Sequence, residues 1–188
     1  VLRVACHELI QLHALGLSTV RMSVNVSQIQ FRHPHYIERL KLALTDTGID
    51  PQYLELEITE SVAMEDPAFM LETLASIKEL GISVAIDDFG TGYSSLSHLR
   101  QLPVDRLKID RAFVNELNSP ILGGHIAAMV VELGRNLNMT VIAEGIEEES
   151  QAEILRAMGC HEGQGFLYGR PMPVADLNQW LRARGALS

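Results

Sequence analysis

Residues 82–110 read ISVAIDDFGTGYSSLSHLRQLPVDRLKID. An apolar, β-branched run, ISVAIDD (82–88), reads as a strand. A glycine-rich turn and a short helical segment, SSLSHLRQL (94–102), lead to a second strand-like run, VDRLKID (104–110). Strand, helix and strand joined by short connections are the repeating unit of a parallel sheet wrapped in helices. Both strands end in charge, Asp87 and Asp88 on the first and Lys108 on the second.

The alternation continues outward on both sides. Upstream, an amphipathic helix over 1–16 is closed by Gly16, and RMSVNVS (21–27) alternates like a strand. Helical spacing at Ile37, Leu40 and Leu44 stops at Gly48; YLELEITE (53–60) is a strand, and Asp66–Pro67 opens a helix running to Gly81. Downstream come a helix around 121–138, the strand TVIAEG (140–145) and a helix from Glu148 to Met158. A strand near 161–166 and a last helix from Val174 to Arg184 complete the chain.

An open doubly wound sheet and a (β/α)8 barrel share this pattern, and the placement of polar residues separates them. Asn25, Glu57, Asp87 with Asp88, Lys108, Glu144 and Gln164 each stand at or near the C-terminal end of a successive predicted strand. Only a closed barrel aims every strand end at one mouth, whereas an open sheet gathers its site at one switch point. The expected fold is therefore α/β, a TIM-like (β/α)8 barrel represented by about six C-terminal strand–helix units. The count places two further units before Val1, so that residues 1–188 form one N-terminally incomplete domain.

The 188 residues, 47% of them hydrophobic, suffice for one domain with a sizeable core. The two cysteines, Cys6 and Cys160, make no CxxC pair, which disfavours a disulfide scaffold or zinc ribbon and suits a reducing compartment. No apolar run approaches the ~18 residues of a membrane span. A net charge of −9 disfavours polymeric nucleic acid as a partner.

Asn25, Glu57, Asp87 and Asp88 offer oxygen only, the hard ligand set of Mg²⁺ or Mn²⁺. Adjacent aspartates on a strand face opposite sides, so both reach one metal only where the strand breaks, and Phe89-Gly90-Thr91-Gly92 is the expected break. Carboxylates crowded at one mouth repel one another without a cation. Two cations there would activate a water and neutralise a phosphate in an in-line displacement. Lys108 is placed to orient that water or stabilise phosphoryl charge. Glu144 suits a metal or a hold on Lys108, Glu147 is a weaker second acid, and Gln164 can read a base edge or a phosphate. His33-Pro34-His35 reads as an exposed turn, Cys160-His161 as ordinary packing, and Met129, Met139 and Met158 as core filler. The Asp88-Phe89-Gly90 triplet lacks the other segments of a kinase, and Gly90-Thr91-Gly92 lacks the GK[ST] of a P-loop.

With MSVNVS (22–27), LELEITES (54–61), AIDDFGTGYSSL (85–96), LPVDRLKIDRAFV (102–114), VIAEGIE (141–147) and QGFLYGRP (164–171), the chain closely resembles the EAL-domain family of cyclic di-GMP phosphodiesterases. The resemblance implies a (β/α)8-type barrel with one antiparallel strand, which uses Mg²⁺ or Mn²⁺ to hydrolyse cyclic di-GMP to linear pGpG. Asn25, Glu57, Asp87 and Asp88 then look like metal ligands and Lys108 the water-positioning lysine. Glu144 looks like a metal or base-side carboxylate, Gln164 a substrate contact, and Glu60 the brace of the loop 89–95. The Glu-Ala-Leu motif itself, with the arginine that follows it, does not occur in the chain and is expected upstream. The resemblance further implies a homodimer formed near the loop after Asp88, and fusion to upstream sensory or GGDEF modules. It also implies a bacterial cytoplasmic setting, in which upstream segments could tether the protein to the inner membrane. A non-catalytic cyclic di-GMP-binding module is the alternative, and a Mg²⁺-dependent enolising barrel using Lys108 as base is a remote third.

Overall fold

The computed structural model describes residues 1–92, 96–119 and 124–184. Six strands, β1 (Met22–Asn25), β2 (Leu54–Thr59), β3 (Ser83–Phe89), β4 (Arg106–Ile109), β5 (Thr140–Ala143) and β6 (Glu162–Gly163), lie in one sheet in that order. The pairings β3–β4, β4–β5 and β5–β6 are parallel, so the antiparallel strand implied by the resemblance is not among β3 to β6. Sequential parallel strands, each followed by helix, are the arrangement of a (β/α)8-type barrel, here with six units.

The chain divides into two compact units, Val1–Leu56 with Ser76–Ser83 and Pro171–Ser188, and Glu57–Ala75 with Val84–Arg170. In the first, α1 (Leu2–Ala14) buries Cys6, Leu9 and Leu12 and packs beside α3 (Tyr36–Thr47), which buries Leu40 and Ala43. This unit also holds α2 (Gln28–Phe31), and α10 (Val174–Ala183) closes the described chain. The second contains α4 (Glu60–Met64), α6 (Leu96–Leu99), α7 (Arg111–Asn115), α8 (His125–Leu137) and α9 (Glu149–Met158). Between β2 and β3 runs α5 (Pro67–Glu79), with proline at its first position. No described helix is long and apolar enough to cross a membrane.

Helix α8 shows how sequence spacing becomes packing. Ala127, Val130, Val131 and Gly134 are buried at i, i+3, i+4 and i+7, one face turned to β4 and β5. Met129 falls between them and is 61% exposed, so it is a surface residue and not the core filler expected, whereas Met139 is buried. The helix begins at His125, and the expected residues 121–123 lie outside the described range, as do Ser94 and Ser95 of the short helix. Strand β6 is two residues long where six were expected, because Gly165 takes the chain out of the ladder and packs its backbone against Ile146.

Three short helices, α2, α4 and α7, escaped the periodicity reading, since four or five residues make little more than one turn. Each follows a strand almost at once. The signal for α2 was local: Ser27 accepts from Gln30 N, and the Gln30 side chain reaches back to Ser27 N, a capping box written in the sequence as S-x-x-Q.

Helix α8 comes close to the sheet at Gly134, where an added Cβ would overlap the Val141 side chain of β5. Gly134→Ala is expected to cost about 1–3 kcal/mol through overpacking. Adding Val141→Ala should recover part of that, so that the double variant loses less than the two single losses summed. Urea denaturation of the three variants checks this; strict additivity would show that the contact does not matter.

Candidate active site

The second unit brings Glu57, Glu60, Asp87, Asp88, Lys108, Glu144 and Gln164 to the C-terminal ends of β2 to β6. At the centre stands Lys108, 3% exposed. Its Nζ lies 2.8 Å from Glu57 Oε2, 3.1 Å from Asp87 Oδ1 and 2.5 Å from Glu144 Oε1. Burial works against the charge on Lys108. Hydrogen bonds to Glu144 and Glu57, together with their negative charge, outweigh it and hold the ammonium above the ordinary lysine range.

Arg106 and Lys108 share one face of β4, being two residues apart. Arg106 pairs with Glu162 of β6 at 2.8 Å, so the same strand face carries a structural ion pair at its start and the acid cluster near its end.

The aspartate pair depends on a backbone irregularity. Ile86 pairs with Leu107 and Phe89 with Ile109, so three steps along β3 match two along β4. This is a β-bulge, and Asp88 sits in it with φ at 54°. The strand therefore breaks at Asp88 itself, one residue before the Phe89–Gly92 segment expected to supply the break. The reason is that aspartate tolerates left-handed backbone better than most residues. The bulge restores Asp88 to the side of Asp87, and ligand oxygens of Asp87, Asp88 and Glu144 lie within 4.8 Å of one another.

Burial raises the Asp88 carboxyl above the usual aspartate range, as do a hydrogen bond with Asp110 and the charges of Asp87 and Asp110; Lys108 opposes them. Burial also raises Glu144, with Lys108 opposing and Asp87 and Glu57 adding to the rise. Asp110 was not singled out in the sequence. It caps α7 by accepting from Ala112 N at 2.7 Å while meeting Asp88. An aspartate directly after a strand and before a short helix was its available signal.

Glu60, 2% exposed, opens α4. Its Oε2 accepts from Gly90 N at 2.7 Å and Gly92 N at 3.3 Å, and a Cβ on Gly92 would strike this carboxylate. Residues 93–95 of the expected braced loop lie outside the described range. Gln164 follows β6 and donates through Nε2 to Glu144 Oε1 at 2.8 Å. Glu147 pairs with Arg111 at 2.5 Å. Asn25 ends β1 in the first unit and is exposed.

The all-oxygen donors fit a hard divalent cation. After burial, the neighbouring acids Asp110 and Asp87 also raise the Asp88 carboxyl, a repulsion that a cation would relieve. Residues 1–171 match the family model described as the EAL domain.

The chain belongs to the EAL-domain family.

A curated relative, the bifunctional diguanylate cyclase/cyclic di-GMP phosphodiesterase MucR of Pseudomonas aeruginosa, is 44% identical over 162 residues. The match takes in 86% of this chain and 24% of that protein, so the chain spans about a quarter of the relative's length. Among solved structures, the PaMucR phosphodiesterase in complex with c-di-GMP superposes with a TM-score of 0.91 at 43% identity, covering 94% of this chain and 71% of that one. A manganese/cyclic di-GMP complex of Klebsiella pneumoniae BlrP1 gives 0.77 at 30% identity, covering 90% and 44%. The EAL-family frame agrees with the strand order and with polar residues at successive strand ends.

Two consequences are measurable. In metal-free protein, Asp88→Asn is expected to raise Tm near neutral pH, because it removes a repelled carboxylate and suits φ at 54°. A raised carboxyl contributes stability below its ordinary range and loses it as pH rises, so the gain of the variant should shrink on acidification. Thermal melts across pH decide it, and a Tm below wild type at pH 7 would contradict it. Second, Glu60→Ala, which frees the Gly90 and Gly92 amides, should lower the activity proposed below roughly 10–100-fold by letting Asp88 shift. Wild-type activity in that variant would refute the coupling.

Proposed function

We propose that this EAL domain serves a metal-dependent phosphodiesterase that hydrolyses cyclic di-GMP to linear pGpG. The observation that carries the reading is the buried Lys108 ammonium held by Glu57, Asp87 and Glu144 beside the Asp87–Asp88–Glu144 oxygen cluster. Relatives named as cyclic di-GMP phosphodiesterases support the substrate. The manganese complex of BlrP1 supports a divalent cation.

Asp87, Asp88, Glu57 and Glu144 are the residues of the second unit proposed to hold Mg²⁺ or Mn²⁺, in a two-metal site. When bound, such a cation neutralises phosphoryl oxygens and lowers the pKa of water. The chain's own residues supply the rest. Formation of pGpG requires attack of water oxygen on phosphorus and cleavage of one phosphorus–O3′ bond, with a proton ending on the departing 3′ oxygen. Lys108, fixed by three carboxylates, orients the attacking water and offsets charge that builds on the phosphoryl oxygens. Glu144, raised above its ordinary range and two hydrogen bonds deep, is suited to accept the proton of the water. Gln164 fixes Glu144 through Nε2 and leaves its own oxygen for a substrate contact. Glu60 holds the turn after Asp88.

A homodimer, upstream sensory or GGDEF modules and a bacterial cytoplasmic setting belong to the same reading. The dimer finds support in Ile126 and Met129, both exposed on α8, with Ile126 and Phe113 beside the Gly90 turn.

In the full-length protein, pGpG should form with Mg²⁺ or Mn²⁺ and much more slowly with Ca²⁺, whose longer, looser coordination positions groups poorly. Lys108→Ala should lower kcat by about 10²-fold or more, with a smaller change in KM. Equal rates with Ca²⁺ and Mg²⁺ would sink the metal assignment. Tight binding of cyclic di-GMP without turnover would establish the non-catalytic module instead.

A further inference from the structure

The turn that carries Glu144 is tied to three other elements. Glu144 N donates to Ile109 O at the end of β4 (3.1 Å), and Ile146 N to Gln164 O after β6 (3.1 Å). Glu147 N and Glu148 N both donate to Oε1 of Gln151 in α9, at 2.8 and 3.0 Å. Gln151 is 5% exposed, and its other end is engaged as well: Nε2 donates to Val114 O of α7 at 3.4 Å. At the opposite end of that five-residue helix, Arg111 pairs with Glu147, and its aliphatic stem fills the space a Cβ on Gly145 would need. The cap of α7, Asp110, meets Asp88. Helix α7 thus spans from the Asp88 side of the acid cluster to the turn holding Glu144.

We propose that Gln151 is a positioning residue, which pins the 144–148 turn to α7 and so sets the Glu144 carboxylate against Lys108. The proposal rests on the phosphodiesterase reading for its kinetic consequence, but not for its geometric one. A helix cap alone needs only the acceptor, and glutamine and glutamate serve equally at the third position of a capping box. The tie to α7 needs the donor. Glutamate at 151 would keep both amides of the turn satisfied while setting a carboxylate against the Val114 carbonyl, two acceptors without a hydrogen between them. A purely capping role and a positioning role therefore respond differently to one conservative change.

The test is Gln151→Glu in the full-length protein, followed by melting, by kcat and KM for cyclic di-GMP, and by a crystal structure. Expected are a melting temperature within a few degrees of wild type, KM changed little, kcat lowered roughly 10–100-fold, and Glu144 drawn away from Lys108. Arg111→Met, exposed and outside the cap, removes the second tie between α7 and the same turn. It should lower kcat in the same direction by a smaller factor. Wild-type kcat in both variants, or an undisturbed Glu144–Lys108 contact in the Gln151→Glu crystal, overturns the proposal. Should the wild type itself form no pGpG, the functional reading fails, and the crystal contact alone decides the position of Glu144.

Discussion

One ammonium facing three carboxylates in a nearly dry setting is the constraint around which the second unit is arranged. Lys108 is 3% exposed and meets Glu57 of β2, Asp87 of β3 and Glu144 directly after β5. Charges this deep are tolerated only with close partners, and removing one member of such a set typically costs about 3–5 kcal/mol. The strands that carry the set also supply apolar core, with Leu56, Ile58, Ile86, Leu107 and Val141 almost fully buried. Parallel pairing of β3 with β4 and β4 with β5 keeps their ends in step, so that acids and lysine meet at one level. A slip of one residue along β4 would turn Lys108 to the opposite face and strand the carboxylates.

The charge balance remains negative at the cluster. Three carboxylates exceed one ammonium, and Asp88 and Asp110 add two more acids that repel each other. Burial is the first cause that raises the Asp88 and Glu144 carboxyls, and the neighbouring acids add to the rise. A fold that stores repulsion at strand ends is poised to take up positive charge, at the expense of its own stability when none is present.

Much of this could be read from the residues. The β–α alternation and the polar residue at each strand end needed only patterning, because barrel strands are apolar along their length and carry chemistry at one end. Glu57, Asp87, Lys108 and Glu144 stood out for that reason. What patterning could not reach was local or non-local in a different way. The bulge at Asp88 is a register mismatch between two strands, visible only once β4 lies beside β3. Asp110 was hidden because a five-residue helix has no period to detect. Met129 occurs in an apolar helix, and which stripe faces the sheet is settled by Gly134 fitting against Val141, not by hydrophobicity. The contact of Gln164 with Glu144 joins two strands that the sequence separates by 20 residues.

The glycine-rich turn after Asp88 has the look of a phosphate-cradling loop, yet its amide hydrogens are already taken. Gly90 N and Gly92 N point to Glu60, and Thr91 N to the Asp88 carbonyl. A nest of backbone dipoles that elsewhere would welcome an anion is here saturated by an internal one. Among the described residues, a phosphate-bearing ligand approaching this mouth meets acids and an occupied backbone, with Lys108 itself surrounded. Its attraction must then be borrowed from a cation that arrives first or with it, which makes affinity for ligand and affinity for cation thermodynamically inseparable, each raising the other by the same factor.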